Sequence, residues 1–187
     1  RGLGDVYKRQ ASDSRFSECP APIIASNLAK GRKADSSWSY DMEISDFAVD
    51  DNFKTAWVAN ALGPEHPHLK IFLDKEQQFN MIALTEEVGS EILDYRLDAR
   101  VNGLWHELMT VNADVRSASA NAGSLLSGPV SAKKSGRVTV LRFGTIYADA
   151  IRLTVLSSRK TSAPDGVYES GSTVAISELG IYNERPR

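Results

Sequence analysis

Residues 48–57 read Ala48-Val49-Asp50-Asp51-Asn52-Phe53-Lys54-Thr55-Ala56-Trp57, and residues 175–182 read Ala175-Ile176-Ser177-Glu178-Leu179-Gly180-Ile181-Tyr182. The first segment places four oxygen-bearing side chains in one short turn ahead of a tryptophan: Asp50, Asp51, Asn52 and Thr55. The second carries a single carboxylate, Glu178, in an otherwise apolar strand. Calcium takes about six to eight oxygen ligands, often including loop carbonyls and a distant carboxylate. The two segments together predict a calcium site that joins the ends of one domain, although an acidic turn alone is more often a solvated loop.

Both segments resemble the paired signatures of the discoidin domain, also called the coagulation-factor C-type or galactose-binding-like domain. The family loop reads Ala-Ile/Val-Asp-Gly-Asn/Asp and then Thr-x-Trp, and the last strand ends Ile-Ser-Glu-Leu/Ile-x-Leu/Val-Tyr. The opening Asn27-Leu28-Ala29-Lys30-Gly31-Arg32-Lys33-Ala34 is similar to the start of such domains. The resemblance covers about residues 27–182 and matches poorly over residues 112–136. Asp51 stands where the family has glycine, and Asp tolerates a positive φ better than most residues.

Three further stretches are similar to the version of this domain appended to bacterial α-L-fucosidases: residues 79–87, 92–99 and 102–108. The resemblance implies a jelly-roll β-sandwich and a structural calcium ion held by Asp50, Asn52, Thr55 and Glu178. It also implies glycan partners, such as those containing fucose or galactose, and a catalytic domain upstream in the same polypeptide. An extracellular or periplasmic location follows from the same resemblance.

The composition excludes several classes of protein. The 187 residues are 42% hydrophobic and 25% charged, which are globular values. The net charge of −2 comes from 22 basic and 24 acidic residues, and no basic stripe accompanies aromatic residues, so nucleic-acid binding is not supported. Cys19 is the only cysteine, which excludes an internal disulfide, and no apolar run is long enough to span a membrane. The one basic cluster, Lys133, Lys134 and Arg137, is predicted to be a solvated loop.

The chain divides into four parts. Residues 1–10 show no apolar pattern and begin without methionine, so we interpret them as a leader that is not native to the domain. Residues 11–26 contain Pro20 and Pro22 and are interpreted as a linker or the tail of an upstream domain. Residues 27–183 form the predicted domain, and residues 184–187 form a short tail.

Short alternating runs predict an all-β sandwich of about eight main antiparallel strands. The runs lie at residues 69–73, 79–84, 95–101, 105–109, 138–143, 151–155 and 176–181. Asn102-Gly103 predicts a type I′ hairpin turn, and a change of phase near Ser177-Glu178 predicts a bulge. Residues 112–136 and 157–173 are predicted to be long loops.

No catalytic motif is present, and the prediction is that this chain has no catalytic residues. Glu86 and Glu87 are a tempting carboxylate pair, but adjacent residues of a strand face opposite sides. His66-Pro67-His68 offers two imidazoles, whereas zinc needs a third or fourth ligand, so these residues are interpreted as exposed loop histidines.

Sugar binding is the better prospect. Trp38 and Tyr40 lie in the early segment Ser36-Ser37-Trp38-Ser39-Tyr40, and spacing of two lets both rings project together from an extended loop. Aromatic rings on loops at one end of a sandwich can stack on a pyranose. Further candidates for sugar contact are His66, His68, Glu86, Glu87, Arg159 and Tyr168. Trp57 and Trp105 are predicted to belong mainly to the core, although Trp38 could also close its end.

The sequence therefore predicts a non-catalytic carbohydrate-binding module, cut from a secreted bacterial glycoside hydrolase that resembles an α-L-fucosidase. The alternative is an architectural or protein-interaction domain that binds no sugar, which the low aromatic content of 8% would suit. An enzyme is the third and least supported alternative.

Overall fold

The computed structural model describes residues 25–42, 44–112, 117–120, 124–126, 128–160 and 173–185. Among these residues all regular elements are strands apart from a single 3-10 turn at Ser45–Ala48. None of their helical segments has the length and apolar character needed to cross a bilayer. The all-β prediction is confirmed.

The described residues contain nine strands, all of which pair in the antiparallel sense. They are β1 (Ala34–Ser36), β2 (Trp57–Val58), β3 (His68–Glu86), β4 (Ser90–Val101), β5 (Leu104–Asn112), β6 (Ser117–Ala120), β7 (Ser131–Ser135), β8 (Val138–Lys160) and β9 (Ala175–Tyr182). Hydrogen bonds connect them in the order β2-β9-β3-β8-β4-β5-β6, with β1 added to β3 and β7 added to β8.

Strands β3 and β8 are long and belong to both layers of the sandwich. The first half of β3, from His68 to Phe72, pairs with residues 150–154, and the second half, from Gln77, pairs with residues 138–148. The register shifts between Phe72 and Gln77, where Asp74 has a φ of 65°. One layer thus contains β1, β4, β5 and β6, and the other contains β2, β7 and β9. The sequence predicted separate strands here because the bend interrupts the apolar alternation.

The core lies between these layers and contains the alternating apolar residues that the sequence predicted. Trp57 is completely buried, as predicted, together with Leu69, Ile71, Leu97, Leu153 and Ile181. The Tyr95 side chain also lies in this core, and its hydroxyl has no hydrogen-bond partner among the described residues. Every second side chain of each strand points into this core, so the strands form the two layers and the loops that connect them lie at the ends of the sandwich.

Two local predictions are confirmed. Asn102 and Gly103 have φ values of 51° and 79° and connect β4 to β5, as a type I′ turn requires. Thr85 pairs with Glu178 whereas Glu86 pairs with Ile176, so Ser177 is the additional residue of a bulge.

The two predicted loops are shorter than expected. Strands β6 and β7 both lie within residues 112–136, and β8 continues as far as Lys160. Small and polar side chains gave little strand signal there, yet the backbone pairs with β5 and β8. Residues 161–172 lie outside the described residues.

Trp105 is not a core residue, and that prediction is wrong. It pairs with Arg100 on the outer surface of the sheet and is only partly buried. The guanidinium of Arg152 lies 4.7 Å from the ring centroid and that of Arg100 lies 6.0 Å away. Cation–π contacts of this kind explain how a large ring is accommodated on a polar surface.

The ends of the described domain are held to its body. Leu28 N donates to Ile181 O at 2.8 Å. The amide of Asn80 donates to Glu184 O at 2.7 Å and accepts from Glu184 N at 2.8 Å, and Arg142 forms an ion pair with the same glutamate. Glu184, which the sequence analysis placed in a tail, is therefore bound to the sandwich.

Candidate functional site at one end of the sandwich

Six segments meet at the end of the sandwich where β3 begins and β9 begins, and we call this surface the loop end. The segments are residues 36–42, 59–68, 86–91, 134–137, 157–160 and 173–174. Within each layer, hydrogen bonds run from Val155 N to Pro67 O at 2.9 Å, from Ala59 N to Val174 O at 3.1 Å and from Glu86 N to Arg137 O at 2.9 Å. Between the layers, Ser90 Oγ donates to Thr173 O at 2.9 Å. Seven of the eight sequence-predicted sugar-contact residues belong to this end, and the eighth, Tyr168, lies outside the described residues.

Trp38 projects from the loop end with 61% of its surface exposed. Its backbone is nevertheless fixed, because Asn60 N donates to Trp38 O at 2.8 Å and both Ser37 N and Ser37 Oγ bond to the backbone of His68. Gly63 lies so close that an added Cβ would come within 3.6 Å of the Trp38 Cβ. The structure thus holds an exposed indole on a rigid support, and Trp38 does not close the core.

Ser39 connects this loop to the core. The indole nitrogen of Trp57 donates to Ser39 Oγ at 3.0 Å, and Ser36 Oγ lies 3.1 Å from the same oxygen. Tyr40 is half-buried against Ala56, Val58 and Ala175. Its ring therefore packs beneath the loop and is less available to a ligand than the exposed ring of Trp38.

The two histidines are placed differently. His66 is exposed in the turn that leads into β3, close to the exposed side chain of Leu62 in sequence. His68 is partly buried at the start of β3, and burial lowers its pKa. In the part of the chain that the structure describes, no three His, Cys, Asp or Glu side chains come together as a metal site.

Glu86 is buried, and both of its carboxylate oxygens are engaged. Oε1 accepts from Ile92 N at 2.5 Å, and Oε2 lies 2.9 Å from Lys134 Nζ. Burial raises the pKa of Glu86, against the opposing effects of these two partners. This placement favours a structural role for Glu86 over the sugar contact that the sequence suggested.

The Glu87 side chain points to the opposite side of the chain from that of Glu86, as expected for adjacent residues in an extended segment. Its Oε2 accepts from the buried Ser177 hydroxyl at 2.5 Å, and its Oε1 accepts from Val88 N at 2.7 Å. Arg137 lies 3.7 Å from Glu87 Oε1. Glu86 and Glu87 therefore do not form one carboxylate pair.

The basic cluster is not a uniformly solvated loop, and that prediction is wrong for Lys134. Its side chain is only 15% exposed and lies between Glu86 and Glu91, at 2.9 and 3.8 Å. Because Lys134 belongs to β7, pairing with β8 carries it across the end of the sandwich. Arg159 is exposed and donates from Nε to Glu91 Oε2 at 2.7 Å.

The predicted metal ligands lie in a second region, on the edge of the sandwich beside β9. Within the turn, Thr55 Oγ1 is 2.7 Å from both Asp50 Oδ2 and Asn52 O, and Asp50 Oδ1 accepts from Asn52 N at 2.9 Å. Glu178 faces this turn from β9 and accepts from Asp51 N at 3.2 Å. The structure therefore brings the two signature segments together, as the sequence analysis expected.

Glu178 is buried and carries a strongly perturbed pKa. Burial raises this pKa to about 7, and the nearby charges of Asp51 and Asp50 raise it as well, against hydrogen bonds from Asp51 N and Asn27 Nδ2. The Asn27 amide lies 2.9 Å from Glu178 Oε1. Asn27 is a residue whose role the sequence analysis missed, although it opens the family-like segment.

Asp51, which stands where the family has glycine, adopts a backbone conformation that glycine adopts readily. Asp51 has a φ of 62°, in the left-handed region that Asp tolerates. Its carboxylate forms an ion pair with Lys30 at 2.5 Å, which raises the pKa of Lys30. The Asp51 side chain thus has a partner of its own and leaves the geometry of the turn intact.

The residues present suit a calcium ion in their chemistry. The set offers two carboxylates, an amide, a hydroxyl and loop carbonyls, all hard oxygen donors. Burial is the main cause of the raised pKa of Glu178, and the charges of Asp51 and Asp50 add to it, so a divalent cation would stabilise the charged form of this carboxylate. Since three acidic side chains do not converge here, such an ion would depend on the oxygens of Asn52, Thr55 and the backbone beside Asp50 and Glu178.

Comparison with known proteins returned likeness in structure only. No family model matches the chain, and no curated protein matches it. Among solved structures, the chain resembles the crystal structure of SpGH29, with a TM-score of 0.62 and 15% identity over 99% of this chain and 33% of that one. The chain therefore spans about a third of the SpGH29 chain.

Smaller domains match over nearly their whole length. A carbohydrate-binding module, CBM32-3 from a family 31 glycoside hydrolase of Clostridium perfringens, has a TM-score of 0.62 and 19% identity over 86% of this chain and 96% of that one. Chitosan-binding module 2 of a chitosanase/glucanase from Paenibacillus sp. IK-5, solved with chitotriose, has a TM-score of 0.58 and 16% identity over 84% of this chain and all of that one. At these identities the likeness establishes the fold, and this chain has the discoidin-like, galactose-binding-domain-like β-sandwich fold of carbohydrate-binding modules.

Proposed function

We propose that this chain is a non-catalytic carbohydrate-binding module that holds a larger glycoside hydrolase near its glycan. The presentation of Trp38 carries the proposal. Of the three tryptophans, Trp57 is buried and Trp105 is covered by guanidinium groups, whereas Trp38 is exposed on a loop fixed at both its backbone and its neighbouring side chains. A rigid, exposed ring loses little entropy when it stacks on a sugar.

The surroundings of Trp38 support the same function. Polar groups that can bond to sugar hydroxyls lie at the same end, among them the exposed side chains of His66 and Arg159. The solved modules with this fold include one whose structure contains chitotriose and another, from Clostridium perfringens, whose structure contains GlcNAc-α-1,4-galactose. Fucose- or galactose-containing glycans are the ligands that we propose for this chain, with an α-L-fucosidase-like hydrolase of a secreting bacterium as its parent.

Calcium belongs to the proposal as a structural ion. Asp50, Asn52, Thr55 and Glu178 would hold it together with loop carbonyls, and its charge would neutralise the carboxylates that meet there. Asn27, Lys30 and Glu178 already connect the turn to the start and the end of the domain. An ion at this position would therefore stabilise the junction of the two signature segments and would take no part in sugar chemistry.

The proposal excludes hydrolysis by this chain. A glycosidase needs two carboxylates about 5 to 10 Å apart across a site that grips the sugar. Glu86 is buried in an ion pair with Lys134, and Glu87 is engaged by Ser177, so neither is presented to a substrate. The test is a fluorogenic α-L-fucoside assay, with a panel of other aryl glycosides, on purified protein and its Glu87→Gln variant. Saturable turnover that the variant loses would contradict the proposal.

Binding is tested by native affinity electrophoresis of the chain in gels that contain single polysaccharides, together with a glycan array. Retardation by at least one glycan, reversed by the free oligosaccharide, is the expected result. A chain that binds no glycan on either platform would instead be an architectural or protein-interaction domain.

A further inference from the structure

A line of paired charges crosses the loop end, to which Trp38 also belongs, and its two arginines face outward. In order, Arg137 approaches Glu87 Oε1 at 3.7 Å, Lys134 approaches Glu86 at 2.9 Å and Glu91 at 3.8 Å, and Arg159 approaches Glu91 at 2.7 Å. The residues come from β3, β4, β7, β8 and the turns between them. We call this line the charged edge.

Exposure separates the two arginines of the charged edge from its glutamates and from Lys134, whose side chain is only 15% exposed. The side chains of Arg159 and Arg137 are 56% and 48% exposed, and Lys160, which follows Arg159, is exposed as well. The three glutamates are covered: Glu86 is buried, and Glu87 and Glu91 are mostly buried. A ligand approaching this surface therefore meets guanidinium groups before it meets carboxylates, although the whole chain has a net charge of −2.

The covered glutamates also hold the arginines in place. Glu91 fixes Arg159 at Nε, Lys134 connects Glu91 to Glu86, and Glu86 is anchored by Ile92 N. Arg137 is fixed through its bond to Glu86 O at 3.3 Å. An anchored guanidinium loses less freedom on binding, and its planar fork matches carboxylate and other oxyanions.

We propose that the charged edge binds the anionic group of an acidic saccharide, either the carboxylate of a uronic acid or a sulfate ester, while Trp38 contacts the same saccharide chain. Hydrogen bonds from Val155 to Pro67 and from Ala59 to Val174, together with the contact of Ser158 with Thr173, place the two regions on one continuous end of the sandwich. This inference rests on the proposed function and names the class of ligand.

The test is native affinity electrophoresis in paired gels: dextran sulfate against dextran, and polygalacturonate against galactan. We expect stronger retardation in at least one anionic gel than in its neutral partner, and the gel that retards identifies sulfate or carboxylate. Arg159→Gln and Arg137→Gln should each weaken that binding about tenfold, the loss expected for one charge-assisted contact. Added salt should weaken binding of the unaltered chain.

Arg32→Gln is the matched control. Arg32 is a comparably exposed arginine that pairs with Asp74 at the opposite end of the sandwich, so its loss changes the net charge equally. Arg159→Lys keeps the charge but lacks the fork and should fall between the unaltered chain and Arg159→Gln. Melting temperatures of all variants would be measured to show that each is folded.

The proposal is overturned if the anionic gels retard the chain no more than the neutral gels, or if Arg32→Gln weakens binding as much as Arg159→Gln. A third outcome separates this inference from the proposed function. If a neutral glycan retards the chain as much as its anionic partner does, and if Trp38 is needed for that retardation, this inference is overturned and the proposed function stands. Binding to no polysaccharide or glycan would contradict both.

Discussion

The indole nitrogen of Trp57 donates a hydrogen bond to Ser39 Oγ across 3.0 Å, and this bond joins the centre of the core to the residue that follows Trp38. Trp57 is completely buried, whereas Trp38 is one of the most exposed large apolar residues described. The same sandwich thus buries one tryptophan in its core and holds another exposed, and we propose that the exposed one contacts the glycan.

Ser39→Ala should destabilise the domain and weaken glycan retention together. The substitution leaves a buried indole N–H without an acceptor, which costs about 1 to 3 kcal/mol. For a domain of this size each kcal/mol lowers the melting temperature by about 2 to 4 °C. Ser36→Ala is the control, because it removes a contact to Ser39 but leaves the indole its acceptor. Equal effects in the two variants would show that the bond to Trp57 is not the cause.

Chelation of calcium should lower the melting temperature of the chain. An ion that binds only the folded state at a hundredfold excess over its Kd contributes about 2.7 kcal/mol. Glu178→Gln and Asp50→Asn should remove the response to chelator, whereas Asp35→Asn, on β1, should retain it. A melting temperature indifferent to chelator in the unaltered chain would refute the calcium proposal.

Tyr95→Phe should leave the stability of the domain unchanged or raise it. The Tyr95 hydroxyl is buried without a hydrogen-bond partner among the described residues, and burial raises the pKa of this group. Removing an unsatisfied buried hydroxyl recovers up to about 1 to 3 kcal/mol. Chemical unfolding of both proteins measures the difference. A loss above about 1 kcal/mol would mean that the hydroxyl has a partner after all.

Glu86→Gln should change how stability depends on pH. Because burial raises the pKa of Glu86, the folded state binds more protons than the unfolded state above the ordinary value of 4.5. The contribution of this group to stability is therefore complete below that pH and is lost as the pH rises through the folded-state pKa. In unfolding curves measured from pH 4 upward, stability should fall more steeply in the unaltered chain than in Glu86→Gln, since Glu178, whose pKa is also raised, remains in both proteins. Parallel curves for the two proteins would contradict the assignment.

Local sequence features predicted the local structure well. Asn102-Gly103 fixed the hairpin because both residues adopt positive φ, and the change of phase at Ser177 marked the bulge. The pairing of the oxygen-rich turn with Glu178, suggested by resemblance, is also present in the structure.

Features that depend on distant pairing were not predicted. Trp105 faces outward because Arg152 and Arg100 cover its ring, and these partners lie on β8 and β4. Lys134 is mostly covered because β7 pairs with β8 and brings it to Glu86. Neither contact has a signal within the residues that surround it in sequence.

The most direct measurement of the central claim compares Trp38→Ala with Phe53→Ala in affinity gels that contain a glycan bound by the unaltered chain. Phe53 is an exposed aromatic residue on the oxygen-rich turn and so controls for loss of a surface ring. Loss of a stacking ring costs at least about 1 kcal/mol, so Trp38→Ala should bind at least about fivefold more weakly at an unchanged melting temperature. Phe53→Ala should bind as the unaltered chain does. Undiminished retention of Trp38→Ala would contradict the account.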